Sequence, residues 1–230
     1  MERTISITPW TLKQVKAERL KKYDSVYLGS EFCENKLPSP RDFELLRKIF
    51  SGPVIAVTSI LSGTGLERAK ALAAFLARGG AFEIVVNDWG LLRHLKRHKA
   101  LKARPILGRL LMWEIAGMDK KFLNDFCAAY SVKAVETDSL EILEKLKGFK
   151  GSVNFNYPLR FRAVTRFCPH LKRFNSEPCA QVCEKRGPAR LTNAKVMPEP
   201  IYLQANAYFV RNKPLKHASI KRLVEDLLPQ

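Results

Sequence analysis

An alternation constrains this chain more than any other feature. Through the first 157 residues, short apolar runs rich in β-branched and aromatic residues take turns with amphipathic stretches, about 20–30 residues apart. Ile5–Thr8, DSVYLG (Asp24–Gly29), VIAVTSIL (Val54–Leu61) and FEIVV (Phe82–Val86) read as the first four strands. Pro105–Leu111, Val132–Glu136 and VNFNY (Val153–Tyr157) continue the series, and Ile201–Val210 is a late strand. Trp10–Lys22, Asp42–Phe50, Leu66–Ala77, Leu91–Leu101, Asp119–Tyr130 and Ser139–Lys147 read as helices between them, with Ser219–Leu228 as a final helix. Parallel strands need crossovers of this length, so the pattern predicts an α/β fold with a parallel sheet covered by helices. Seven or eight strands favour a TIM-barrel-like parallel barrel, short or irregular, over an open doubly wound sheet. No low-complexity linker interrupts the 230 residues, which predicts a single domain over 1–230.

One stretch breaks the pattern. Between VNFNY and the late strand, roughly residues 159–199, the chain is rich in Pro, Arg and Lys, and Pro169, Pro178 and Pro188 exclude a long helix or a central strand. This loop insertion carries Cys168, Cys179 and Cys183 at C-x10-C-x3-C spacing. Cysteines on an irregular polar loop are ligand candidates rather than packing residues. Cys33 lies just past DSVYLG, and both segments follow carboxyl ends of strands, the face where parallel barrels place their sites. Cys33 is therefore expected to meet the other three. Four thiolates suit zinc or an iron–sulfur cluster. A ligand 135 residues from the next departs from the paired spacing of structural zinc and favours the cluster. His170 keeps a Cys3His zinc site as the alternative. Cys127, on an apolar helix face, is read as core.

The net charge is +18, with +7 over residues 89–113 and +11 over 159–222. Such a field suits RNA, an anionic small substrate, an anionic surface or an acidic partner. Arg160, Arg162 and Arg166, interleaved with Phe161, Phe167 and Phe174, are candidates for anion or substrate binding and for stacking. No stretch of 18 apolar residues occurs, so no transmembrane segment is expected. The N-terminus MERTISITPW lacks a signal-peptide core, which points to the cytoplasm, where clustered thiols bind metal sooner than they form disulfides.

Three segments resemble a known family: SVYLGSEFCENK (Ser25–Lys36), FEIVVNDWGLL (Phe82–Leu92) and YPLRFRAVTRFC…EPCAQVC (Tyr157–Cys183). Together with the strand order and the terminal ANAYFVRNKPL, they are similar to the U32 peptidase-like family, closest to its anaerobic ubiquinone biosynthesis branch. The resemblance implies a TIM-barrel-like fold and a 4Fe–4S cluster on Cys33, Cys168, Cys179 and Cys183. It also implies oxygen-independent hydroxylation of an aromatic quinone precursor by a hetero-oligomer with a second U32-like subunit. Other branches hydroxylate RNA bases, so an RNA-binding or RNA-base-hydroxylating protein is the alternative, and a zinc-stabilised non-catalytic binding protein is another. Protease activity is not expected, because no Ser-His-Asp or Cys-His arrangement has a supporting motif.

Asp88 and Glu136, each at a strand end, are the acid–base candidates. His94 and His98 stand at i, i+4, but on a basic helix without a third ligand they read as a solvated face. Ser62-Gly63-Thr64-Gly65 lacks the lysine of a phosphate-binding loop and reads as a strand-to-helix turn. Trp89 and Trp113 are expected in the core.

Overall fold

The computed structural model describes residues 1–174, 179 and 181–227; Pro178 and Leu228 lie outside the described residues. In chain order the elements are β1 (Glu2–Ile7), α1 (Pro9–Leu12), α2 (Ala17–Leu20), β2 (Ser25–Gly29), α3 (Pro40–Arg47), β3 (Val54–Val57) and α4 (Gly63–Ala77). Then follow β4 (Phe82–Val86), α5 (Trp89–Arg97), β5 (Ala103–Leu107), α6 (Arg109–Ile115), α7 (Lys120–Ala129), β6 (Ala134–Thr137), α8 (Leu140–Lys145) and β7 (Ser152–Tyr157). An insertion comprises β8 (Leu159–Val164), β9 (Phe167–Cys168), β10 (Arg173–Phe174), α9 (Val182–Arg186), β11 (Ala189–Leu191), β12 (Ile201–Gln204) and β13 (Ala207–Arg211). The chain then returns as β14 (Ile220–Asp226).

Eight strands close a barrel in the order β1-β14-β7-β6-β5-β4-β3-β2, every pairing parallel. The fold is α/β and TIM-barrel-like. Most buried apolar side chains fill the layer between barrel and helices, Phe43, Leu72, Leu91, Leu111 and Phe155 among them. Inside the barrel, Tyr27, Ile55, Val57, Val85, Ile106 and Val224 form a smaller plug. Two-sided burial explains why these strands read as apolar runs rather than alternating ones.

The helix expected over Ser219–Leu228 is instead the closing strand β14. Ile220, Leu223, Val224 and Leu227 fall at i, i+3, i+4 and i+7, the signature of a helix. A register shift between Ile220 and Arg222 satisfies the same positions in a strand. Ile220 and Leu223 join the outer core, while Val224 turns into the lumen. The late strand over Ile201–Val210 is a hairpin, β12 and β13, turning at Ala205 with φ +55. It belongs to a four-stranded antiparallel side sheet, β11-β12-β13-β8, and not to the barrel. The Pro105–Leu111 strand stops at Leu107, and α6 begins at Arg109. The helix expected over Trp10–Lys22 breaks into α1 and α2, its three apolar positions (Leu12, Val15, Leu20) being too few to bury a continuous face. Trp89 and Trp113 are 41% and 51% exposed rather than core.

The insertion is seated on the barrel's exit end by aromatic packing. Phe32, past β2, stacks on Phe161 of β8 at 5.3 Å and meets the edge of Phe209 of β13 at 5.0 Å. Phe161 also donates its backbone N–H to Asp138 at 2.7 Å.

Candidate functional site

Two neighbouring cavities occupy the exit end. The first opens into the lumen, lined by Tyr27, Glu31, Phe32, Arg109, Asn156 and Asp226 among others. The second lies under the insertion and is lined by Cys33, Cys168, Cys179 and Cys183, with Leu171, Gln181 and Asn206. Lys36 and Ala205 line both and separate them.

The lumen is charged, with Arg109 at its mouth. Gly108, in extended backbone, ends β5 and points Arg109 inward. That glycine is required: a Cβ there would lie 2.2 Å from the Asn87 side chain. Asn87 in turn donates to Thr58 O at 2.8 Å and accepts from Leu110 N at 2.9 Å, tying the ends of β3, β4 and β5 together. Arg109 is 5% exposed. Its guanidinium meets Glu31 through Nε, Asp138 through Nη1 at 3.3 Å and Asp226 through Nη2 at 3.3 Å, and it lies over the Phe32 ring at 4.9 Å. Burial works against its charge, but Glu31, Asp226 and Asp138 outweigh burial and hold it more firmly protonated. Burial likewise pushes the Asp138 carboxyl up to about 6, against the pull of Arg109 and Phe161 N–H.

Deeper in the lumen, Glu136 is fully buried. It accepts from Tyr27 Oη at 2.7 Å, Asn154 Nδ2 at 2.8 Å and Asn156 Nδ2 at 2.7 Å. Burial and the charge of Glu31 raise it to about 6 despite these donors. On the floor, Arg222 donates to Tyr27 Oη at 3.1 Å and pairs with Glu2 at 3.0 Å and Glu83 at 3.1 Å. A polar column thus crosses the barrel, from Arg222 through Tyr27 and Glu136 towards Glu31 and Arg109.

Sequence reading placed Glu136 among the acid–base candidates, and it stands in this column. Asp88 does not. Its carboxylate accepts from Leu91 N at 2.9 Å and Leu61 N at 3.2 Å, capping α5. Glu31, Asp138, Asp226, Tyr27 and Arg109 were missed. Glu31, Arg109 and Asp138 stand just past the end of a strand and Asp226 is the last residue of β14; a charged residue at the exit end of a strand was the available signal. Arg109 was hidden because Gly108 was read as strand interior.

The cysteine cavity joins two distant parts of the chain. Cys33 precedes a single 3-10 turn over Glu34–Lys36, and Cys183 lies on α9. A salt bridge from Lys36 to Glu184 at 2.5 Å, both side chains buried, clasps the two segments. Burial opposes the Lys36 charge, but Glu184, then the Cys183 and Cys33 thiols, raise its pKa. Burial also pushes the Cys33 thiol up to about 12, with the Lys36 charge opposing, and raises Cys183. The five cysteines are free thiols, and Cys127 is buried in the helix layer as core. Asn206 Oδ1, on the wall of the cavity, is buried without a hydrogen-bond partner among the described residues. His170 is not among the lining residues. Among the described residues, no three His, Cys, Asp or Glu side chains are set closely enough to hold a single ion.

The remaining candidates lie outside both cavities. Arg160 is half-buried on β8, Arg162 is exposed and pairs with Glu199 at 3.5 Å, and Arg166 is exposed. Phe161 is buried, so it is not free to stack on a ligand; Phe167 and Phe174 are exposed and pack edge-on at 6.2 Å. The Ser62–Gly65 turn caps α4 and is filled from within: Glu34 accepts from Ser62 N and Ser62 Oγ, both at 2.8 Å. The two basic stretches do not gather beside the cysteines: residues 99–104 of the first and Lys221 of the second lie at the entrance end, whereas Arg160, Arg162, Arg166 and Arg190 lie on the insertion at the exit end. No helix is long and apolar enough to cross a membrane among the described residues.

Among solved structures, the chain is similar to a glycoside hydrolase family 18 N-acetylglucosaminidase from Paenibacillus barengoltzii, at a TM-score of 0.42 and 8% identity over 98% of this chain and 94% of that one. No protein-family model matches the chain, and no curated protein does.

Proposed function

We propose that this chain is an iron–sulfur protein of the U32 peptidase-like kind. In this reading, Cys33, Cys168, Cys179 and Cys183 hold a 4Fe–4S cluster beside the lumen cavity. The chain serves as a subunit in oxygen-independent hydroxylation of an aromatic quinone precursor, together with a second U32-like subunit. The observation that carries the reading is the meeting of these four cysteines, from segments 135 residues apart, around one cavity that shares Lys36 with the lumen.

The donor set fits such a group. A thiol as buried as Cys33 does not ionise unaided near neutral pH, so a nucleophilic role is disfavoured and a cationic centre is what would draw out its proton. Zinc bonds of about 2.3 Å would bring four sulfurs within roughly 3.8 Å of one another. The long, fold-dependent spacing of the four cysteines departs from the tight pairs of structural zinc and favours the cluster. When bound, a 4Fe–4S cluster supplies one-electron transfer. This chain's own residues do the rest. Lys36 keeps a fixed positive charge between the thiolates and the lumen, offsetting part of their negative charge. Phe32 and Phe209 give the lumen mouth apolar walls for an aromatic ring. Glu136, with its carboxyl raised to about 6, holds or releases a proton close to neutral pH behind Tyr27 and Asn156, which line that cavity, and Tyr27, Asn154 and Asn156 fix its orientation.

Protein prepared without oxygen is expected to be brown, with about four iron and four sulfide per chain. Alanine at Cys33, Cys168, Cys179 or Cys183 removes the colour, whereas Cys127→Ala keeps it. Stoichiometric zinc without iron overturns the cluster. A loaded cluster that yields no hydroxylated quinone precursor under anaerobic assay, alone or with its co-purifying partner, overturns the reaction and leaves the cofactor standing.

A further inference from the structure

The cations at the entrance end of the barrel form a pattern that the cysteine site does not use. In a closed parallel barrel every strand begins at the same end, so the loops entering β5, β6, β7 and β14, neighbours in the sheet, form one continuous arc. Lys99, Lys102 and Arg104 enter β5, Lys133 enters β6, Lys150 enters β7 and Lys221 begins β14. All six side chains are exposed, and none has an ion pair among the described residues. No acidic residue occurs in the segments 98–104, 130–133, 145–151 or 212–221. Nearby acids are already engaged: Glu2 and Glu83 pair with Arg222, and Glu144 pairs with Lys147. A helix C-terminus favours one cation in its last turn, but Arg104, Lys133, Lys150 and Lys221 lie beyond any helix. Lys102 even holds a left-handed conformation, φ +54, where glycine is the easier residue.

We infer that this arc is a docking surface for the phosphate backbone of a nucleic-acid duplex. Four strands at about 4.8 Å spacing spread the cations over roughly 15 Å, and a duplex presents one negative charge per about 1.7 Å of axis. Lysines acting as point charges match phosphates without reading bases. A single strand would need aromatic platforms, yet the exposed Trp89, Trp113, Phe122, Phe167 and Phe174 are not on these segments. A membrane or a protein partner would want exposed apolar anchors, and on the arc's segments Leu101, Tyr130 and Phe149 are half-buried, with no large apolar side chain fully exposed among the described residues. The surface lies at the opposite end of the barrel from the lumen mouth, so it docks rather than presents a substrate, and it does not depend on the cysteines holding a cluster.

The test is fluorescence anisotropy with a 20-base-pair RNA duplex of arbitrary sequence at 50 and 200 mM salt. Four to six phosphate contacts make affinity fall between about a hundred- and a thousand-fold over that range. The triple charge reversal Lys133→Glu, Lys150→Glu, Lys221→Glu abolishes binding at 50 mM, with a circular dichroism melt confirming its fold. Arg162→Glu with Arg166→Glu, on the insertion, leaves binding within about two-fold, since those residues lie outside the arc. The inference is overturned if the duplex does not bind at 50 mM, if the insertion variant loses binding while the entrance variant keeps it, or if phosphatidylserine vesicles bind through the arc and the duplex does not.

Discussion

Arg109 and Lys133 are both cations beside neighbouring barrel strands, one just past the end of β5 and the other just before the start of β6. Their surroundings are opposite. Arg109 is buried among Glu31, Asp138 and Asp226, with an aromatic ring beneath it. Lys133 is exposed and has no ion pair among the described residues. The difference extends to the two ends as wholes. At the exit end, charge is desolvated, and each group survives because another answers it: Glu31 by Arg109, Glu184 by Lys36, Glu136 by three donors. At the entrance arc, water answers the charge, and the cations remain available to something else. One scaffold thus keeps a fixed electrostatic interior and a free electrostatic exterior at opposite ends of the same strands.

The largest expected effect follows from breaking the exit end. Arg109→Met removes the one cation that faces three carboxylates, and leaving buried charge uncompensated costs about 3–5 kcal/mol. Urea unfolding should show a loss near the top of that range, with Glu31→Gln added to Arg109→Met recovering part of it. A loss below about 1 kcal/mol would mean that the three acids are protonated or hydrated in the folded state, and that the two ends do not differ as described.

That contrast was only half legible from sequence. The barrel was legible because VIAV and the VYL of DSVYLG are short apolar runs that two-sided burial explains, and because such strands recur between helical stretches. Cys33 could be placed near the insertion for the same reason: the end of a parallel strand fixes which face the next residues reach. The closing strand was not legible, because Ile220, Leu223, Val224 and Leu227 satisfy a helical period and a bulged strand equally well, and only the seven other strands decide between them. Arg109 and its three acids were not legible either. Their meaning lies in convergence from β2, β5, β6 and β14, and no local spacing encodes that.

A second, smaller effect is a pH dependence that the exit end has and the entrance arc lacks. Glu136 and Asp138 have folded-state values of about 6, above those of free carboxyls. The folded state therefore binds these protons more tightly than the unfolded chain does. Their contribution to stability is greatest below the unfolded values and declines as pH rises towards about 6. It is level above that, lower by on the order of 2 kcal/mol per group at 1.36 kcal/mol per pH unit. Glu136→Gln should flatten the stability profile between about pH 4.5 and 6 relative to the parent protein. An unchanged slope in that window would place the titration elsewhere.

The smallest effect belongs to the entrance arc. Lys133, Lys150 and Lys221 are exposed and make no ion pair among the described residues, so each alanine replacement should alter stability by less than about 0.5 kcal/mol. The sign is the informative part. With no acid in their loops, these lysines repel one another and the rest of a chain carrying +18, so the triple alanine variant should be slightly more stable than the parent at low salt. Salt then removes the advantage. The screening length is about 30 Å at 0.01 M and about 3 Å at 1 M, so the two proteins should converge in urea unfolding as sodium chloride rises between those limits. Arg109→Met should show no such convergence, because buried pairs are screened much less than exposed ones. If the triple variant instead lost 1–2 kcal/mol independently of salt, the lysines would be structural. The arc would then be a second fixed region like the exit end, with no charge left over for a partner.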